Sequence, residues 1–203
     1  MKLYNSIGPN PKVVRMFAAE KGIDLELHEV DLVAGENRSK EFLRLNPAGQ
    51  LPALVTDDGP IISEITAICE YLDELDGSSA LIGRSPLERA ETRMWVRRID
   101  LNILENLANG FRYAEGQPVF KGRITLIPHA ADDLKAIAQE KLTWLDTQLA
   151  GKMFICGERF SLADIMLFAF LEFGEQVGQP LNPDNSAINS WMGRMKERAS
   201  TEA

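Results

Sequence analysis

"NPAGQLPALVTDDGPIISEITAICEYLDE", residues 46–74, carries the clearest structural punctuation in the chain. Asn46-Pro47 ends a preceding helix, because a proline ring disfavours the α conformation in the residue before it. Pro52 then opens an apolar stretch, Leu54-Val55. Asp58-Gly59 is a turn signal and Ile61-Ile62 follows, so the segment reads as a β-hairpin. From 64 to 75 the pattern changes: Ile65, Ile68, Leu72 and Leu75 recur at helical spacing. A hairpin that runs into an amphipathic helix closes one side of an α/β layer.

Upstream, residues 2–5 (KLYN) form a short strand. A helix runs from Pro11 to Gly22, with Val13, Val14, Phe17 and Ala18 on one face. Asn10 suits its N-cap, Pro11 its first position and Gly22 its end. Residues 25–31 (LELHEVD) alternate apolar and polar, which marks a half-buried strand, and 38–45 form a short helix. The strand–helix–strand start, about 30 residues long, favours a right-handed crossover onto a parallel strand.

Downstream, residues 76–86 (DGSSALIGRSP) are rich in Gly, Ser and Pro, and strand patterns stop. One long helix is expected over 86–113, others over 129–150 and 185–198. "SLAD", 161–164, has the form of a capping box. The helix it opens, "IMLFAFLEF", is apolar almost all round and belongs inside a bundle. The expected fold is an α/β N-terminal domain over 1–76, a linker over 77–86, and an all-α helical domain over 87–203.

The chain has 203 residues and a formal net charge of −8. That excess of acid disfavours a nucleic-acid binder, which needs a basic footprint. The two cysteines, Cys69 and Cys156, lie far apart and fit no metal spacing, so no metal is expected. No secretory leader and no run of 18 apolar residues is visible, which points to a cytoplasmic protein without a membrane partner.

Two places in the first domain admit more than one reading. Leu51-Pro52 is either a plain trans proline at a strand start or a cis bond that turns the backbone of Leu51 outward, open to an extended peptide. Ser63-Glu64 is either a helix cap with a first-turn acid or a carboxylate-binding helix start with an acid for a ligand ammonium.

The two-part chain, "NPAGQLPAL", "SEITAICEYLDE" and "ERFSLADIMLF" together resemble the cytosolic glutathione transferase family, over the whole length. The resemblance implies a thioredoxin-like first domain and glutathione as co-substrate. It places the backbone pairing with glutathione on Leu51 and Pro52, with Gln50 beside them, and the γ-glutamyl end on Glu64, with Ser63 and Ile65. Ile65 stands where the family usually has Ser or Thr, which removes a hydroxyl. Lys40 is a further cation for a glutathione carboxylate.

The same resemblance requires a group that stabilises the glutathione thiolate, because a thiol near pKa 8.5 is mostly protonated at pH 7. Tyr4 lies one position early for the tyrosine-type members and otherwise reads as a strand core residue. Cysteine-type members are excluded by the positions of Cys69 and Cys156. "GPNPKVVRMF" is most similar to the bacterial Nu-class pattern, with Gly8 in place of Thr and Asn10 retained. Asn10 is thus the first candidate for the sulfur and Ser6 the second.

Trp95, Arg98, Asn102 and Phe111 are candidate walls for a hydrophobic second substrate. The resemblance further implies a homodimer and a role in detoxification. A glutathione-dependent disulfide reductase or peroxidase, or a non-enzymatic binding protein of the same fold, remain alternatives.

Overall fold

The computed structural model describes residues 1–78 and 80–203; Ser79, within the expected linker 77–86, lies outside the described residues. The chain divides into two compact units, Met1–Ala80 with Ala199–Ala203, and Leu81–Arg198.

The first unit contains β1 (Lys2–Asn5), α1 (Pro9–Lys21), β2 (Glu26–Glu29), α2 (Lys40–Leu45), β3 (Ala53–Val55), β4 (Ile61–Ser63) and α3 (Ile65–Glu74). Its sheet has the order β2-β1-β3-β4. β1 and β2 are parallel, as the crossover rule expects, and β3 runs antiparallel to β1 and to β4. Leu3, Val13, Val14, Phe17, Leu54, Ile68 and Leu72 are fully buried. Each such side chain contributes about 1.5–3 kcal/mol by leaving water.

Three expectations shift. α1 begins at Pro9, and its N-cap is Gly8, at φ 104, rather than Asn10. β2 is exposed along its whole length rather than half-buried, because it is an edge strand. The helical domain expected to reach residue 203 ends at Arg198. A 3₁₀ turn, Ala199–Glu202, instead belongs with the first unit, where the Ser200 hydroxyl donates to Glu20 Oε1 of α1 at 2.5 Å.

The second unit is helical: α4 (Pro86–Ile99), α5 (Glu105–Arg112), α6 (Gln117–Phe120), α7 (Ala131–Leu149), α8 (Leu162–Gln176) and α9 (Ser186–Lys196). A π-helical turn, Asp100–Leu104, separates α4 from α5, so the single helix expected over 86–113 is interrupted. Side-chain amides serve the backbone carbonyls there. Asn102 Nδ2 donates to Arg98 O at 2.8 Å, and Asn106 Nδ2 to Asn102 O at 2.9 Å.

α8 is buried from Leu162 to Leu171, as its all-round apolar sequence implies. Its first turn holds the buried Asp164. Oδ1 accepts from Ile155 N at 2.9 Å and Trp191 Nε1 at 3.0 Å. Oδ2 accepts from Ser161 N at 3.0 Å and Ser161 Oγ at 3.1 Å. One carboxylate thus joins the turn at 155, the start of α8 and the middle of α9.

Among the described residues no helix is long and apolar enough to cross a membrane.

Candidate active site

Strand register assembles the site. Ala53 pairs with Tyr4 of β1 on one side and with Ser63 of β4 on the other. The start of β3 therefore lies level with the end of β1 and the end of β4. Leu51-Pro52, the loop from Ser6 to Asn10, and Ser63-Glu64 all emerge from one edge of the sheet.

The Leu51–Pro52 peptide is cis. The backbone before it is held from below by two buried asparagines. Asn37 Nδ2 donates to Gly49 O at 2.7 Å, and Asn46 Nδ2 to Gln50 O at 2.9 Å. Gly49 has φ 62, and a Cβ there would meet Arg38 Nη1 at 2.7 Å. The positive φ favours glycine, and a side chain there would also have to displace the Arg38 guanidinium. The Asn37 side-chain oxygen and Arg38 Nε are buried without a hydrogen-bond partner.

Glu64 is the N-cap of α3 and is the one non-glycine with positive φ, 71°, among the described residues. Such a conformation costs about 1–3 kcal/mol and persists where the surroundings enforce it, often at a ligand clamp. Ser63 is the last residue of β4 and does not cap the helix. The side chains of Ser63, Glu64 and Thr66 make no hydrogen bond among the described residues. The first turn of α3 offers the backbone N–H groups of Ile65, Thr66 and Ala67, with positive partial charge behind them. Gln50 and Lys40 are exposed.

The loop before α1 separates its two candidates. The Ser6 hydroxyl is buried and donates to Val30 O at 2.7 Å, which ties the loop to the chain after β2. Asn5, beside it, donates to Glu29 Oε1 and accepts from Arg15 Nη1, both at 2.6 Å. Asn10 is half-buried, at the second position of α1, and its amide makes no hydrogen bond among the described residues. Pro9 and Pro11 have no N–H, so Gly8 and Asn10 supply the backbone donors of this helix start. Ile7 projects from the loop, 67% exposed. Tyr4, half-buried, packs against the rings of His28 and Phe42, at 4.7 and 6.0 Å between centroids.

The four candidate walls of a second-substrate pocket do not converge. Arg98 and Asn102 share a cleft with Lys141, Trp144 and Gln148. Trp95 lies buried beside Trp144. Phe111 stands apart in an aromatic cluster, edge-on to Phe173 at 5.0 Å and to Phe120 at 6.4 Å.

Sequence reasoning missed Asn37, Arg38 and Asn46. Asn46 was visible only as a helix stop before Pro47. Asn37 and Arg38 sit in a short 3₁₀ turn, Glu36–Arg38, within a polar stretch whose composition carries no sign of burial.

A thioredoxin-like sheet with a cis-proline at the start of β3, followed in the chain by a helical unit, defines a class of two-domain folds. Residues 7–75 match the family model of the glutathione S-transferase N-terminal domain, and residues 128–194 that of the C-terminal domain. The chain belongs to the glutathione S-transferase family. It is 33% identical to glutathione S-transferase 2 of Saccharomyces cerevisiae, over 100% of this chain and 88% of that protein. It is also 33% identical to elongation factor 1-gamma of Prunus avium, over 75% of this chain and 35% of that protein. The crystal structure of Gtt2 from Saccharomyces cerevisiae superimposes with a TM-score of 0.94 at 32% identity, covering 100% of this chain and 99% of that one.

Proposed function

We propose that this protein is a glutathione transferase in which Asn10 stabilises the thiolate of bound glutathione for attack on a hydrophobic electrophile. The observation that carries the reading is the convergence, at one sheet edge, of the cis Leu51-Pro52, the positive-φ Glu64 and the unengaged amide of Asn10.

In this reading the backbone of Leu51 pairs with the cysteinyl part of glutathione. The γ-glutamyl carboxylate takes the N–H groups at the start of α3, and Glu64 takes the ammonium. Ser63 lines this end, and the backbone of Ile65 serves where its side chain cannot. Gln50 and Lys40 flank the opposite end.

Lowering the thiol pKa by two units needs about 2.7 kcal/mol of preference for the thiolate. A hydrogen bond to a charged acceptor contributes about 1.5–3 kcal/mol and a helix start about 0.3–1 kcal/mol. The Asn10 amide, with the backbone N–H groups of Gly8 and Asn10, is therefore sufficient without an ionisable catalytic side chain. Ser6, whose proton faces Val30 O, supports the loop. The thiol proton goes to water; the sulfur forms the new bond to carbon as the electrophile's leaving group departs with its electron pair. Ile7 gives the electrophile an apolar surface beside the sulfur.

The homodimer is supported by an exposed apolar stripe. Leu87, Met94 and Leu101 recur at intervals of seven from α4 into the π turn and are 79%, 40% and 49% exposed. A cytoplasmic role in detoxification agrees with this chemistry.

Retention on immobilised glutathione, together with turnover of glutathione and 1-chloro-2,4-dinitrobenzene, tests the assignment. Retention without turnover supports a binding protein instead. Failure of both overturns the glutathione site.

A further inference from the structure

The sheet of the first unit ends on one side at β2, and all four residues of that strand are exposed. Glu26 N donates to Met1 O at 3.1 Å and Val30 N to Asn5 O at 2.9 Å. Backbone groups alternate in direction along a strand, so the even-numbered residues of β2 face β1 and Leu27 and Glu29 face outward. Among the described residues no backbone hydrogen bond is made on that outer side. Two N–H and two C=O groups there are a template for a further strand.

Leu27 adds an apolar anchor. It pairs in register with the fully buried Leu3 and shares its face of the sheet, yet is itself 47% exposed. A strand laid against β2 would cover it.

Open edges are ordinarily blunted by proline, lysine, a bulge or a covering segment. β2 contains neither proline nor lysine, and its register with β1 runs without a bulge. Its only guard is acid. Between Lys21 and Arg38 the chain has no Lys or Arg and five carboxylates: Asp24, Glu26, Glu29, Asp31 and Glu36. Of these, Glu26 alone forms an ion pair among the described residues, with the exposed Lys2 at 3.1 Å. Glu29 accepts from the Asn5 amide, Asp31 from Ala34 N and Glu36 from Asp31 N, so neutral donors hold these three in place.

The charge of the whole chain has the same bias. The first unit holds 7 Lys and Arg against 15 Asp and Glu, and so carries all of the formal net charge of −8; the second holds 15 of each.

This charge selects among occupants. A second copy of the chain does not suit the edge, because centred antiparallel pairing of two β2 strands sets Glu26 opposite Glu29, and like charges directly opposite are destabilising. A basic strand meets the same carboxylates as partners.

We propose that the free edge of β2 takes up an extended, lysine- or arginine-bearing segment of a partner protein as a fifth strand. The segment's backbone pairs with Leu27 and Glu29, an apolar side chain covers Leu27, and its cations lie against Asp24, Glu26 and Glu29. The proposal rests on the sheet edge and goes beyond the transferase reading.

The test uses the full chain and a fluorescein-labelled peptide of alternating lysine and valine. Saturable anisotropy is expected, with no binding of the glutamate–valine peptide. The fully N-methylated lysine–valine peptide keeps its charge but cannot donate to the edge, and should bind at least about tenfold more weakly. Asp24→Asn combined with Glu26→Gln should weaken the parent peptide by about fivefold, with unchanged thermal unfolding. Hydrogen exchange at Leu27 and Glu29 should slow on binding, because their amides become paired. Equal binding of the N-methylated peptide would reduce the contact to charge adsorption and overturn the proposal. Absence of saturation, wild-type affinity in the double variant, or protection confined to residues outside β2 also overturns it. Failure to retain or turn over glutathione would remove the transferase assignment and leave this edge unaffected.

Discussion

Trp191 Nε1 donates to Asp164 Oδ1 at 3.0 Å, a buried bond between α9 and the first turn of α8. The same carboxylate also accepts from the backbone N–H groups of Ile155 and Ser161. Asp164→Ala leaves these three donors buried and unpaired. At about 1–3 kcal/mol each, only partly relieved by water entry, the variant should lose about 3–5 kcal/mol. Asp164→Asn keeps an acceptor oxygen and should lose less. Urea unfolding of the two variants against wild type measures both.

Burial raises the Asp164 pKa to about 6, against the lowering effect of its four donors. A carboxyl whose pKa is higher folded than unfolded holds its proton more tightly in the folded state. Its contribution is therefore present in full below pH 4 and is lost as pH rises through 6. The loss amounts to about 3 kcal/mol between pH 4 and pH 7, at 1.36 kcal/mol per unit of pKa difference. Unfolding free energies of wild type, referenced to Asp164→Asn across this range, should fall with rising pH. A flat difference would remove Asp164 as the titrating group.

Asn10→Ala should lower kcat/KM for 1-chloro-2,4-dinitrobenzene by about 10–100-fold, the loss of one hydrogen bond to a charged atom. The pH–rate profile should shift alkaline as the thiol pKa rises. Ser6→Ala should instead lower stability by about 1 kcal/mol through the lost bond to Val30 O, with the profile unmoved. An unshifted profile in Asn10→Ala would assign the sulfur to backbone N–H groups alone.

Glu64→Gly relieves the positive φ and should stabilise the fold by about 1 kcal/mol. It should also weaken glutathione, because the carboxylate for the ammonium is gone. Stability and affinity would move in opposite directions, which a purely structural role for Glu64 does not produce. Thermal unfolding and glutathione calorimetry on one preparation read both.

Glutamate at both Leu87 and Met94 places like charges on the exposed stripe of α4. Light scattering should show a dimer in wild type and a monomer in the double variant. A wild-type monomer would overturn the assembly.

Much of the fold was legible because it rests on local signals. Asp58-Gly59 marks the hairpin, Gly22 ends α1 in the left-handed conformation, and the all-apolar α8 is buried. What escaped notice depends on distant partners. β2 alternates in sequence but lies at a sheet edge, which only the strand order reveals. The π turn falls in a stretch with neither Gly nor Pro, and its amide bonds back to the carbonyls are invisible in composition. In the site, Pro52 and Glu64 were visible, whereas Asn37 and Asn46 act through a backbone contact formed only once the chain has folded. Asn10 suited a cap by residue type, but Gly8 took that position and left the amide unengaged.

The two helix starts at the sheet edge differ in how many contacts they can give. α3 begins without proline and presents consecutive N–H groups, enough to surround a two-oxygen group. α1 alternates proline with donor, so it can coordinate one atom and cannot enclose a carboxylate or phosphate. A ligand with a carboxylate at one end and a lone sulfur further along can therefore lie in only one direction across the edge. In the proposed site the prolines of the loop would act as a polarity filter, setting the ligand's heading by withholding contacts.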